Sequence, residues 1–219
     1  VKIAGPLIDG KFNVYNGSSS SYPLLSIQNI TLSDLQIQVQ ELIDKKVDFL
    51  KAYEMLSPNQ FKLLSKMAKE NNLKLTGHVP LCMDVITASN LGLNSMEHFR
   101  NLELSCASNS DELLLQRQQL LASGKDDKGG VLRSRIHKEQ RQIAIENFDL
   151  DKANKVLDVL AKNDTWQIPT LTLNTASKRR PFATKEWQES FTYLPKNIQD
   201  QWLNYINNLK KTEVTPFNE

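Results

Sequence analysis

The chain alternates short apolar, β-rich runs with longer stretches in which apolar residues recur at three- and four-residue spacing. "VKIAGPL" opens it as a strand-like run that breaks at Gly5-Pro6. A serine-rich polar stretch, "DGKFNVYNGSSSSYP", reads as a surface loop through Pro23. The pattern then predicts a helix from about Ser33 to Lys45, capped by Ser33, with Leu35, Ile37, Val39 and Ile43 among its apolar residues. "VDFLKAY" (Val47 to Tyr53) is the next strand. Ser57-Pro58 starts a helix in which Phe61, Leu64, Met67 and Ala68 share a face, and Asn71-Asn72 ends it. "LKLTGH" reads as a strand, Asp84 to about Asn90 as a short helix with Gly92 past its end, and "LNSMEHF" as a strand.

Arg100 to Asp164 holds Glu-, Gln-, Lys- and Arg-rich helices around "SGKDDKGG", which reads as flexible. The last helix of that stretch, about Leu150 to Lys162, places Ala153, Val156, Leu157 and Leu160 on one face. "WQIPTLTL" is a further strand. Two tail helices follow, one after Thr184 with Trp187 and Phe191, the other after Pro195 with Ile198, Trp202, Tyr205 and Ile206.

Strands alternating with helices across short connections predict an α/β fold with a parallel sheet. Such a sheet is either open and doubly wound or part of a (β/α)8 barrel. No glycine-rich phosphate loop follows any strand, which argues against dinucleotide binding. The 219 residues suffice for one large domain with a real core. A formal net charge of +2 excludes an electrostatic case for nucleic acid or an acidic membrane surface. No apolar run approaches the ~18 residues of a membrane span. Lys178-Arg179-Arg180 reads as a solvated loop. Cys82 and Cys106 define neither a disulfide framework nor a zinc knuckle and read as small fillers. The Asn-x-Ser/Thr triplets at Asn16, Asn29 and Asn163 read as chance in an asparagine-rich chain. The first residue is Val1, which suggests a piece of a longer polypeptide and leaves the compartment unreadable.

Candidate chemistry comes from three strand ends. Lys51 lies near the end of "VDFLKAY", His78 ends "LKLTGH", and His98 ends "LNSMEH". In a parallel sheet all three fall on the carboxyl edge, where barrels collect their chemistry. Alternation pairs Phe49 with Lys51, Thr76 with His78 and Met96 with His98, so if those faces point inward one cavity receives a lysine and two histidines. Neutral imidazoles suit a divalent transition metal. A buried lysine loses its charge readily, and the neutral amine can add carbon dioxide to become an anionic carbamate able to bridge two metals. Singly, a strand-end histidine is usually structural and a strand-end lysine usually reaches solvent. Together on successive strands they favour metal ligation. His137, in the charged run "RIHKEQRQ", reads as an exposed helix residue without a role. Tyr53 is a candidate pocket residue, although packing is the plainer reading.

At these residues the chain resembles the amidohydrolase superfamily, in its imidazolonepropionase-like and Xaa-Pro-dipeptidase-like branch. The resemblance rests on "VDFLKAYEMLSPNQFKLLSKMAKENNLKLTGHVP", "ASNLGLNSMEHF", "IPTLTL" and "TYLPKNIQDQW", in that order along the chain. It implies a (β/α)8 barrel, of which this chain would supply about the third to the seventh strand. The chain would then form one partial-barrel domain over 1–219, with a helical insertion at about 100–164. It also implies a metal-dependent hydrolase of amide or peptide-like bonds that uses one or two divalent ions, most simply zinc. Lys51 would be the carboxylated bridging ligand, and His78 and His98 would bind the second metal. Glu97, by strict alternation, should face away from His98 and act structurally. The family's first-strand His-x-His pair is absent, as is the aspartate after its last strand that handles the proton, so the catalytic base is expected downstream. The chain by itself is therefore expected to be inactive and to bind metal weakly or not at all. Alternatives are a mononuclear deaminase-type relative without a carboxylated lysine and a non-catalytic α/β binding module. The expected partner is a small-molecule or peptide-like substrate, and a homo-oligomer is left open. The length of the stretch after His98 suggests a lid or a subunit contact.

Overall fold

Four of the helices owe their boundaries to local chemistry that is visible in the computed structural model, which describes residues 1–123, 128–171 and 185–211. Helix α1 (Leu32–Asp44) starts at a capping box: the Thr31 hydroxyl accepts from the Asp34 N–H and the Asp34 carboxylate accepts from the Thr31 N–H. The expected cap, Ser33, is thus already inside the helix. Leu35, Val39 and Leu42 face inward at four- and three-residue spacing, whereas Ile37 is exposed, which accounts for the imperfect periodicity. Helix α2 (Pro58–Glu70) is capped by Ser57 with Gln60 completing the box, and it buries Phe61, Leu64, Met67 and Ala68 as the pattern predicts. Helix α3 (Val85–Leu91) is capped by Asp84 and stopped by Gly92 in the left-handed region at φ 111°. After α4 (Leu102–Ser105), α5 (Ser110–Ser123) and α6 (Gly129–Glu146), helix α7 (Leu150–Lys162) is capped by Asp149 and buries Ala153, Val156 and Leu160. Leu157 lies outside that face and is exposed.

The main sheet holds β1 (Leu7–Asp9), β4 (Ser26–Gln28), β5 (Phe49–Ala52), β6 (Lys74–Gly77), β7 (Ser95–Glu97) and β8 (Trp166–Ile168). Its order is β4-β1-β5-β6-β7-β8 and every pairing is parallel. The sheet is open among the described residues: β4 and β8 each pair on one side only. This is the α/β architecture expected of an incomplete barrel. Two details differ from the sequence expectation. Strand β1 begins after the Gly5-Pro6 break rather than before it, because Leu7 to Asp9 pair with Ser26 to Gln28. The polar stretch is not a bare loop but carries the hairpin β2 (Asn16–Ser19) and β3 (Tyr22–Leu24), after which the chain returns as β4 at one edge of the main sheet.

Alternation divides the sheet into two faces. Ile8, Leu50, Ala52, Leu75 and Met96 point to the helical side and pack with α1, α2, α3 and α7 residues into one buried core. Phe49, Lys51, Thr76, Ser95 and Glu97 occupy the other side. That face holds a cavity of about 400 Å³ lined in part by Phe49, Thr76, Ser95, Glu97 and Trp166. A second apolar cluster seats α6 above the strand ends, where Leu132 and Ile136 pack with Val14, Tyr53, Met55 and Leu81. Residues Val1–Pro169 form one compact unit. The tail helices, α8 (Lys185–Phe191) and α9 (Lys196–Lys211), belong to a second, Thr170–Glu219, in which Trp187 stacks on Phe191 at 4.6 Å.

Several polar groups lock the strand ends. Asp9, fully buried at the end of β1, accepts from the backbone N–H of Met55 at 2.7 Å, Val14 at 2.9 Å and Gly10 at 3.0 Å. Burial pushes its carboxyl up to about 7 against the pull of those three donors. Arg117 of α5 is also fully buried, and donates to Gln140 of α6 and to Asn101 beyond β7. The Asn29 side chain donates to the Asp9 carbonyl inside the fold, and that of Asn163 donates to Ser89 and Asn90 near the surface. Both cysteines are free, Cys106 buried and Cys82 half-buried. Among the described residues no helix is long and apolar enough to cross a membrane. The basic run Lys178-Arg179-Arg180, residues 124–127 of the "SGKDDKGG" stretch and the end of "WQIPTLTL" lie outside the described residues.

Gly77 closes β6 at φ 118°, and a Cβ there would lie 2.2 Å from the Ala52 carbonyl oxygen. Both the backbone conformation and the close approach to β5 require glycine. Gly77→Ala should destabilise the chain by about 2 kcal/mol or more, measured as a shift in the urea midpoint at constant slope.

Candidate metal centre

The parallel register brings the strand ends level. Lys51 is paired with Thr76, Thr76 with Ser95, Gly77 with Met96 and Glu97 with Ile168. The side chains that leave the carboxyl ends of β5, β6 and β7 therefore meet. Lys51 Nζ lies 2.8 Å from Glu97 Oε2. The same carboxylate oxygen lies 3.6 Å from His98 Nε2 and 3.9 Å from His78 Nε2. One ligand atom from each of His78, Glu97 and His98 falls within 4.8 Å of the others. The two imidazoles stand edge to face, with ring centroids 5.1 Å apart at 85°.

Two sequence expectations are corrected here. Glu97 does not face away from His98. It points onto the cavity face with Lys51, while Met96 turns into the helical core. The reason is backbone geometry: β7 ends at Glu97, and His98 and Phe99 are in the left-handed region at φ 57° and 53°, so strict alternation stops before His98. His137 is not an exposed helix residue. It is half-buried on α6, and its Nε2 lies 3.3 Å from Glu54 Oε2.

Glu54, the residue after Tyr53, is the centre of the charged groups behind the site. It is completely buried. Its Oε1 accepts from His78 Nδ1 at 2.6 Å, its Oε2 accepts from Arg133 Nε at 2.8 Å, and Arg100 Nε stands 3.7 Å from Oε1. Burial opposes the charge, but the hydrogen bonds from His137 and His78 and the charge of Arg133 prevail and hold its carboxyl well below the usual range. Burial pushes His98 below the ordinary imidazole value, which favours the neutral ring. Tyr53 is buried with its ring centroid 4.5 Å from that of His78 and 5.7 Å from that of Tyr15, as a wall behind the histidine.

The structure thus brings together the three residues singled out in the sequence, Lys51, His78 and His98, and adds Glu97, Glu54, Arg133 and His137. Glu97 was legible as the partner of His98 in "MEH" but was assigned to the wrong face. Arg133 and His137 carried one local signal, a four-residue spacing that puts both on one side of a helix. Nothing in that run told which side faced the site.

No family model matches the chain, and neither does any curated protein. Among solved structures, partial similarity is found to bottromycin amidohydrolase (TM-score 0.37, 16% identity, over 73% of this chain and 41% of that one). A second is described only as an uncharacterized protein (0.41, 11%, 75% and 46%). A third is A. niger ochratoxinase (0.37, 14%, 80% and 49%). The chain thus matches less than half the length of each of these structures.

The Glu54 carboxyl is held ionised in the folded state, so its contribution is present above its unfolded value near 4.5 and is lost as pH falls through the lower folded value. Glu54→Gln should cost about 3 kcal/mol at neutral pH by leaving Arg133 and His137 without their anion. The difference from the unaltered chain should shrink as pH drops below about 4.5, measured by urea unfolding as a function of pH.

Proposed function

We propose that this chain carries part of the active centre of a metal-dependent hydrolase acting on amide or peptide-like bonds. The observation that carries the reading is the convergence of His78 Nε2, His98 Nε2 and Glu97 Oε2 at the carboxyl edge of a parallel sheet. Two imidazole nitrogens and one carboxylate oxygen are the donor set that suits zinc and its neighbours. The sequence resemblance on the lysine strand, "GHVP" and "EH" points to the same chemistry.

The donor chemistry fits a divalent ion. His78 gives its Nδ1 to Glu54 and so turns Nε2 toward His98 and Glu97. His98, whose neutral ring is favoured, offers its Nε2 to the same place. Glu97 supplies the anionic oxygen, and Lys51 pins that oxygen on the cavity side. A divalent cation held there would polarise a substrate carbonyl and lower the pKa of bound water. The base that handles the proton, and the His-x-His ligands of the resemblance, have no counterpart in this sequence, so turnover is assigned to a polypeptide that supplies them.

The ion pair between Lys51 and Glu97 favours a second reading of the same centre. The lysine already has a carboxylate partner without carbon dioxide, as a mononuclear, deaminase-type site would have it. Bicarbonate labelled with ¹³C separates the two: a carbamate resonance that disappears in Lys51→Ala supports the bridged site, and its absence in the presence of zinc supports the mononuclear one.

The chain alone is expected to bind zinc weakly and to show no amide hydrolysis. His78→Ala and His98→Ala should each reduce that zinc affinity at least tenfold, about 1.4 kcal/mol, read by calorimetric titration. Unchanged affinity in both variants overturns the assignment, and turnover by the chain alone overturns the assignment of missing ligands.

A further inference from the structure

We infer that helix α6, in the insertion between β7 and β8, is a positioning element for the metal centre: through Arg133 and His137 it clamps Glu54, and Glu54 decides which ring nitrogen of His78 faces Glu97 and His98. The inference rests on the reading of His78 as a metal ligand and adds what orients it.

The two oxygens of Glu54 divide between two tasks. Oε2 is held from α6, by Arg133 Nε at 2.8 Å and His137 Nε2 at 3.3 Å. Oε1 accepts from His78 Nδ1 at 2.6 Å. With Oε2 held, the carboxylate plane is set, and Oε1 can point only toward β6. A ring that donates from Nδ1 presents a bare Nε2, and Nε2 is the nitrogen turned toward Glu97. Arg133 and His137 are one helical turn apart, so a single face of α6 supplies both contacts.

That face is held firmly enough to act as a clamp. Leu132 and Ile136 on α6 are fully buried against Tyr53, Val14, Met55 and Leu81. The helix also begins unusually close to its neighbours. A Cβ on Gly129 would sit 1.6 Å from the Phe12 carbonyl oxygen, and one on Gly130 would sit 2.4 Å from the Tyr22 ring. At Gly129, where the neighbour is backbone, only glycine allows this approach. Arg117, buried between Gln140 of α6 and Asn101, ties the helix a second time to the segment leaving β7. Arg133 and His137 lie 79 and 83 residues from Glu54, so the carboxylate that orients His78 is held by an element remote in the chain.

The test reads the His78 ring directly, without metal and without activity. In the ¹⁵N-labelled 219-residue chain, long-range proton–nitrogen spectra should show a protonated Nδ1 and a bare Nε2 at His78. Arg133→Met and His137→Gln, each with Glu54 intact, should move both nitrogens toward the averaged position of two mixed tautomers, and Arg133→Lys should restore most of the difference. Zinc added to the same samples, followed by His78 shifts, should bind about 10–100-fold more weakly in Arg133→Met than in the unaltered chain. If Arg133→Met does not fold, His137→Gln and Arg133→Lys carry the comparison. An unmixed His78 tautomer in both α6 variants overturns the inference whatever zinc does. A tautomer that responds to α6 while zinc moves neither ring nitrogen upholds the clamp and refutes the metal reading instead.

Discussion

A carboxylate with no exposure to water is the constraint around which this molecule is arranged. Glu54 has left solvent entirely, and a buried unpaired charge costs several kcal/mol. Its partners must therefore all arrive at one point: His78 from the end of β6, Arg100 from the segment after β7, and Arg133 and His137 from α6. Meeting that demand draws the insertion down over the carboxyl edge of the sheet. The same demand turns the His78 ring so that its second nitrogen faces Glu97. Stability and candidate chemistry share one group.

The sheet prepares this point geometrically. Parallel pairing keeps β5, β6 and β7 in step, so their last side chains stand side by side rather than staggered. Gly77 lets the backbone of β6 approach the Ala52 carbonyl, and the left-handed residues His98 and Phe99 turn the chain after β7 so that two consecutive side chains, Glu97 and His98, reach one place. A regular strand would have sent them to opposite faces. On the helical side, Leu50, Leu75 and Met96 anchor the same three strands in the main core, so the candidate site rests on buried, close-packed strands.

Much of the fold was legible because its signals are local. The Ser57-Pro58 start of α2, the Asp84 cap and Gly92 stop of α3, and the apolar face of α7 are decided within a few residues. Ser26–Gln28 was not legible, since three residues with one apolar side chain make no pattern until β1 pairs with them. The α1 cap was misplaced by two residues because Thr31 and Ser33 both offer a capping hydroxyl, and only the reciprocal bond to Asp34 distinguishes them.

By itself the sequence determined the alternation of strands and helices, and hence a parallel sheet whose carboxyl edge carries Lys51, His78 and His98. Those follow from periodicity and chain order alone. Only the tertiary structure decided that Glu97 joins them, that His137 and Arg133 stand behind them, and that Glu54 is the buried anion between. The physical reason is that a side chain's role here depends on its partners at long range. Glu54 meets Arg133 and His137 across 79 and 83 residues, and no spacing within "KAYEM" or "RIHKEQ" encodes that meeting.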